Sequence, residues 1–317
     1  MRQPKVSLYF TTRPAPSPIA RVPDEDYQFV DLFCGIGGAS TGAAQAGLRV
    51  VLAVDFDKFM LGVHELNHPD ATHMNIEMPP QQPLPLPTKG KFHLHGSPPC
   101  NKVSRINQAV TAEQRKHGLS LVRWYLRYAL ASKATTWSME QVPADCVIKV
   151  VEKFKRKHPG RLDYTVINCW DLGVPQTRKR LIAGTPALIE KLRRRRAVRK
   201  SVADVIAEPG GTHTRIEATA SGTKAHRVIN SWDDFCRPIS RPAATVTARN
   251  GLRWATPHCG IEPHKMGTRD LLTIQSFPSD YELGKLSRAN GRKGAGNALP
   301  PAAMRELLRP LFADQGS

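Results

Sequence analysis

The sequence predicts an α/β protein in which short strands and helices alternate, and three observations predict it. Apolar runs of four or five residues recur from Phe29 onward, separated by helical segments. A glycine-rich turn, Gly35-Ile36-Gly37-Gly38, joins the first run to the first helix. The chain has 317 residues, enough for one large domain, alone or with a smaller partner.

Residues 1–27 contain several prolines and no sustained periodicity, and read as a flexible arm. Phe29-Val30-Asp31-Leu32-Phe33 is a buried-strand pattern, and Ala39 to Gly47 suits a helix of small residues. Glycines without Cβ atoms let backbone approach a ligand, and a helix start offers free N–H groups, so this unit suits a nucleotide or adenosyl group. Val50 to Val54 is the next strand. It ends at Asp55, about 20 positions past the glycines, where an acid can meet ribose hydroxyls, with Phe56 placed to lie against an adenine ring. An ordinary tight turn with an exposed Asp55 would show the same pattern. A helix from Lys58 to Asn67 and a strand ending at Asn75-Ile76 follow, then a proline-rich connector from Pro79 to Pro87.

Lys91-Phe92-His93-Leu94-His95 alternates as a strand does and runs into Gly96-Ser97-Pro98-Pro99-Cys100. The two prolines stiffen this elbow and fix the direction of the cysteine, as a nucleophile at a strand end requires. A small buried cysteine would also fit there. Lys102 to Gly118 reads as a polar, basic loop able to fold over a substrate. Leu119 to Ala131 reads as a helix with Leu121 and Tyr125 on one face and Trp124 in helix packing. Glu140 closes a strand from Trp137, a helix spans Asp145 to Lys157, and Tyr164 to Asn168 is a further strand. Arg178 and Arg180 stand two apart on an extended segment, so both point to one face. The helix near Ala187 to Val198 carries Arg193 to Arg196, either a solvated face or a phosphate contact. Residues 208–240 look loop-dominated, 241–248 resume a strand-like pattern, and Arg269 to Phe277 reads as a short helix. Gly294 to Pro301 leads into a C-terminal helix.

Lys and Arg number 46 against 27 Asp and Glu, a formal net charge of +19, which points to a polyanionic partner with nucleic acid first. No apolar run approaches the roughly 20 residues of a membrane span, and no signal peptide opens the chain, so no membrane role is expected. The six cysteines are scattered with no C-x-x-C pair, as expected of free thiols in a reducing cytoplasm. His258, Cys259 and His264 lack a second ligand cluster, and no metal is expected.

Five motifs in order resemble the cytosine-5 DNA methyltransferase family. They are Asp31-Leu32-Phe33-Cys34-Gly35-Ile36-Gly37-Gly38, Gly96-Ser97-Pro98-Pro99-Cys100, Glu140-Gln141-Val142, Gln176-Thr177-Arg178-Lys179-Arg180 and Gly296-Asn297-Ala298-Leu299-Pro300. The resemblance covers Phe29 to Leu311. It implies a Rossmann-like class I methyltransferase fold, a mixed, mostly parallel sheet with helices on both faces, plus a small target-recognition region. The expected divisions are an arm at 1–27, a catalytic and cofactor-binding domain at 28–207, the recognition region at 208–240, and a return to the catalytic domain at 241–317.

The resemblance also implies S-adenosyl-L-methionine as donor, held by Phe33, Gly35, Gly37, Gly38, Asp55, Phe56, Asn75, Ile76, Pro99, Leu121 and Asn297. Cys100, Glu140, Arg178 and Arg180 become the catalytic set. The Cys100 thiolate adds to carbon 6 of a flipped-out cytosine, Glu140 serves N3 as an acid, and Arg180 with Arg178 holds O2. Asn101, Lys102, Ser104, Arg105, Arg215, Lys224 and Arg227 are the expected contacts to double-stranded DNA, and the protein is expected to act as a monomer in a bacterial or phage-infected cytoplasm. Three positions depart from the family pattern: Asn101 stands where Gln is usual, Gln141 where Asn is usual, and Asn75 where an acid is usual. A tRNA cytosine-5 methyltransferase on the same fold is the nearest rival, but its Cys-Phe-Thr motif is absent. A catalytically silent nucleic-acid-binding relative is the other; retention of Cys100, Glu140, Arg178, Arg180 and Asn297 together argues against it.

Overall fold

The computed structural model describes residues 27–99, 111–206, 213–216, 236–248, 252–255 and 264–311. Its centre is a seven-stranded sheet of β1 (Gln28–Leu32), β2 (Arg49–Asp55), β3 (Thr72–Asn75), β4 (Phe92–Gly96), β5 (Thr136–Gln141), β6 (Asp163–Asn168) and β7 (Lys179–Gly184). The order is β3-β2-β1-β4-β5-β7-β6. The first five strands pair in parallel, while β7 runs antiparallel to both β5 and β6. The expected mixed, mostly parallel sheet is what the chain forms.

Helices cover both faces. On one side α3 (Ala112–Ala131) and α4 (Asp145–Lys157) bury Val122, Tyr125, Leu126, Val147 and Val151 against β1, β4 and β5. On the other, α1 (Gly38–Gln45), α5 (Pro186–Arg193) and α8 (Pro301–Leu308) enclose Ala43, Ile189, Met304 and Leu308 with Phe29 and Val50. Small residues in α1 let it cross α8 closely, since a Cβ on Gly42 would overlap the Pro301 carbonyl oxygen. Tyr27, placed by sequence at the end of the arm, is instead buried, with its hydroxyl 2.9 Å from that of Thr136.

The remaining elements are α2 (Lys58–Asn67), α6 (Thr268–Ile274), α7 (Arg288–Asn297) and a four-stranded antiparallel sheet. That sheet comprises β8 (His213–Ile216), β9 (Cys236–Pro238), β10 (Leu252–Ala255) and β11 (His264–Lys265), in the order β11-β10-β8-β9. A third core ties the two parts together: Leu252, Trp254 and Met266 pack with Ile36, Met60 and Val63.

Several boundaries differ from the sequence reading. The small sheet continues to Lys265, past the expected limit at 240, because β10 and β11 complete it. Residues 241–248 form no strand; a single bridge joins Ala243 to Gln176, backbone bonds tie Arg241 to Pro238 and Val202, and the Gln176 side chain accepts from the Val246 N–H. Helix α3 starts at Ala112, inside the expected loop. Helix α5 ends at Arg193, and Gly294 to Asn297 close α7 rather than open α8. The Arg193–Arg196 run serves the fold: Arg193 meets Asp163 at 2.6 Å, Arg194 meets Glu190 at 2.8 Å and Arg195 pairs with Glu306.

Candidate active site

A cavity opens at the carboxyl ends of β1, β2, β4 and β5, where the strand order reverses between β1 and β4. Its floor is the turn after β1, in which Phe33, Gly35 and Gly37 all take left-handed φ values of 62°, 55° and 89°. Phe33 is the costly one, because its Cβ opposes that conformation. Its ring is held edge-on against Trp124 at 6.2 Å. Tyr281 donates its hydroxyl to the Ile36 carbonyl and clamps the turn from the α6 side. Trp124 also stacks on Tyr128, so it is a packing residue, as the sequence reading expected.

Phe33, Gly35, Gly38, Asp55, Phe56, Pro99 and Asn297 line this cavity together with Glu140. Gly37 shapes the turn as the residue before α1. Both Asp55 oxygens are engaged: Oδ2 accepts from the Gly35 N–H and Oδ1 from the Asp57 N–H, each at 2.8 Å. Burial raises the Asp55 carboxyl, and those two N–H groups work against the rise. Phe56, 60% exposed, offers an open ring face beside it. Asn75 and Ile76 do not line the cavity; the Asn75 side-chain amide and the Ile76 N–H both donate to the Asp55 carbonyl and brace the end of β2. Leu121 also lies elsewhere, in the core beneath α3.

Sequence reasoning missed Asp31. It lines the cavity and is buried; Oδ2 accepts from Ser40 at 2.7 Å, whereas Oδ1 has no partner. Burial pushes this carboxyl up to about 7. A charged residue inside the apolar run Phe29 to Phe33 was the available signal.

The chemistry-bearing side is built by β5 and β7. Register pairs Glu140 with Ile182, so Glu140 and Arg180 lie on one face, diagonal to each other. Arg180 Nε meets Glu140 Oε1 at 2.5 Å, with both side chains about nine-tenths buried. Arg178 does not join them. It is buried, and its guanidinium donates to the carbonyls of Val246, Gly296 and Ala298 at 2.8–3.0 Å. Same-face geometry brought both arginines inward, but the C-terminal segment captured one of them.

Gln141 is fully buried and donates through Nε2 to the Pro98 carbonyl at 2.9 Å, two residues before Cys100. This explains how Gln serves where Asn is usual. Replacing Gln141 with Leu would strand that carbonyl, a loss of about 1–3 kcal/mol. Turnover is expected to fall by roughly 10²-fold through misplacement of the elbow. Gln141→Asn should recover part of the rate, and donor affinity should stay near wild type; single-turnover assays and donor titration check this.

Strand β4 forms where the alternation places a strand and is buried on both faces. Its histidines belong to a polar ladder. His93 contacts the Thr136 and Ser138 hydroxyls, and His95 contacts Ser138 and Ser97, all at 2.8–3.0 Å. Cys34 and Cys169 are also buried, and burial pushes the Cys34 thiol well up and that of Cys169 up to about 11, which makes both poor thiolates. Cys100, Asn101, Lys102, Ser104, Arg105, Lys224 and Arg227 lie outside the described residues, and of Arg215 only the backbone, in β8, is described.

The family model described as C-5 cytosine-specific DNA methylase matches residues 27–313. The chain belongs to this family. Among the curated relatives, the type II methyltransferase M.XorII of Xanthomonas oryzae pv. oryzae is 31% identical over 48% of the chain. The match spans 39% of that relative's length, and another spans 14% of the DNA (cytosine-5)-methyltransferase PliMCI of Paracentrotus lividus. The type II methyltransferase M.MthTI of Methanothermobacter thermautotrophicus is 25% identical over 89% of this chain and 96% of its own. Among solved structures, the S. pombe Dnmt2 methyltransferase superposes with a TM-score of 0.58 at 14% identity, over 90% of this chain and 99% of its own. The chain therefore has the Rossmann-like methyltransferase fold. Among its described residues, no helix is long and apolar enough to cross a membrane.

Proposed function

We propose that this DNA methylase transfers a methyl group from S-adenosyl-L-methionine to carbon 5 of cytosine in double-stranded DNA. The observation that carries the reading is the buried Glu140–Arg180 pair, whose Glu140 lines the same cavity as the glycine turn and Asp55. The cavity fits the donor on its own terms. Asp31 Oδ1 is a buried acceptor without a partner, suited to a cationic group, and Phe56 presents an open aromatic face. Asp31, Phe33, Asp55, Phe56 and Asn297 would hold the donor, whose chemistry is an electrophilic methyl on a sulfonium.

Carbon 5 of cytosine is a weak nucleophile, so the ring must be activated. The Cys100 thiolate bonds to carbon 6, and the ring electrons move towards N3 and O2. Glu140 serves N3 in that step, and Arg180 stabilises the charge developing at O2. Once carbon 5 has been methylated, loss of its proton drives elimination and frees the thiolate. The target base must leave the duplex to reach the cavity. The high thiol pKa values of Cys34 and Cys169 support assigning the nucleophile to Cys100.

Labelled donor offered with duplex DNA or with tRNA tests the reading, which predicts label on DNA alone. Label on tRNA would transfer the reading to RNA, and label on neither would end it. Cys100→Ser is expected to abolish turnover and leave DNA binding within a few fold. A variant that still methylates near the wild-type rate would overturn the covalent route.

A further inference from the structure

Helices α3 and α4 lie side by side and carry two rows of cations. Arg123 and Arg127 stand four apart on α3; Lys149, Lys153 and Lys157 stand at intervals of four on α4. This spacing puts each row on one stripe of its helix, with neighbouring charges about 6 Å apart along the axis. The rows face a groove of about 560 Å³, floored by Cys146, Val150 and Phe154, and no carboxylate lines it. His158 stacks on Phe154 at its end.

Among the described residues, none of these five cations forms an ion pair. Their neighbours do: Lys155 meets Asp163 at 2.6 Å, and Arg193, Arg194 and Arg195 all meet carboxylates. Like charges at four-residue spacing repel each other along a helix. A polyanion laid in the groove would relieve that repulsion and release counterions.

We propose that the α3–α4 groove is a second DNA-binding surface, which tracks backbone phosphates of the duplex outside the target site. The inference rests on the proposed function for its partner, double-stranded DNA. The topology suits such a role. Each helix follows a strand that ends at the cavity and runs back along the outside of the sheet, so the groove leads away from the catalytic edge. It provides nonspecific hold on flanking DNA, because phosphate contacts position a duplex without reading its bases.

The test is the triple variant Lys149→Gln, Lys153→Gln, Lys157→Gln, all at exposed positions. Binding is measured by anisotropy against salt on two duplexes, one just filling the catalytic cleft and one several helical turns longer. On the long duplex the slope of log affinity against log salt should fall by up to about three, with an affinity loss of roughly tenfold or more at moderate salt. On the short duplex, affinity and turnover should be unchanged. In the wild type, the long duplex should slow alkylation of Cys146, read by peptide mass, and the short one should not. Equal losses on both duplexes, no loss on either, or a loss confined to anionic lipid vesicles would each overturn the proposal. A wild type that binds long DNA yet transfers no methyl would instead overturn the proposed function and leave this comparison intact.

Discussion

Arg180→Ala is expected to lower turnover by about 10²–10³-fold, the usual effect of removing a donor aimed at developing charge. It should also destabilise the fold by about 3 kcal/mol, because it leaves the Glu140 carboxylate buried without the guanidinium 2.5 Å away. The two effects separate in a double-mutant cycle. Glu140→Gln with Arg180→Ala should be less destabilising than the sum of the single changes, while turnover stays lost. Chemical denaturation gives the stabilities, and labelled-donor assays give the rates. If the stability losses were additive, the pair would be a coincidence of position and not an interaction.

Acid should unfold the donor-free protein well above the range of ordinary carboxylates. Burial lowers the imidazoles of His64 and His93 far below 6.5, that of His68 to about 4 and that of His95 to about 3. Below pH 6.5 the unfolded chain takes up protons that the folded chain refuses, so stability falls with falling pH. Asp31 and Asp55 act in the opposite sense. Burial raises both, so the folded state holds protons there that the unfolded state releases, which favours folding as pH falls towards 4. The four imidazoles outnumber the two carboxyls and set the sign, so stability falls as pH falls from 6.5 towards 4. Thermal melts at pH 7, 6 and 5 are expected to show a steep loss of Tm. A flat profile across that range would show that these histidines take up protons without unfolding the protein.

The strand and turn pattern from Phe29 to Asp55 was legible because apolar runs, glycines and an acid at a strand end each leave a local signature. Glu140 and Arg180 were legible through motif order, and their meeting follows from the antiparallel register of β7. Arg178 was misplaced for a long-range reason. Its partners at Val246, Gly296 and Ala298 lie far along the chain, where no local period points to them. Strand β4 was legible in the alternation of Phe92 to His95, although the strand is covered on both faces. The conspicuous run at Arg193 to Arg196 is largely neutralised by Glu190, Asp163 and Glu306. The five cations of the α3–α4 groove, which form no ion pair among the described residues, are spread at intervals of four along two helices, where no run appears in the sequence.

The fastening of Arg178 to Val246, Gly296 and Ala298 bears on how the protein is made. The strand that presents Arg180 to Glu140 is keyed to a segment translated more than a hundred codons later. A nascent chain still on the ribosome, or one truncated before Gly296, would carry every preceding motif yet lack the lock that seats this strand. Such fragments should leave Arg178 without two of its three carbonyl partners, so the Glu140–Arg180 pair would be seated only once the chain has been made through Ala298.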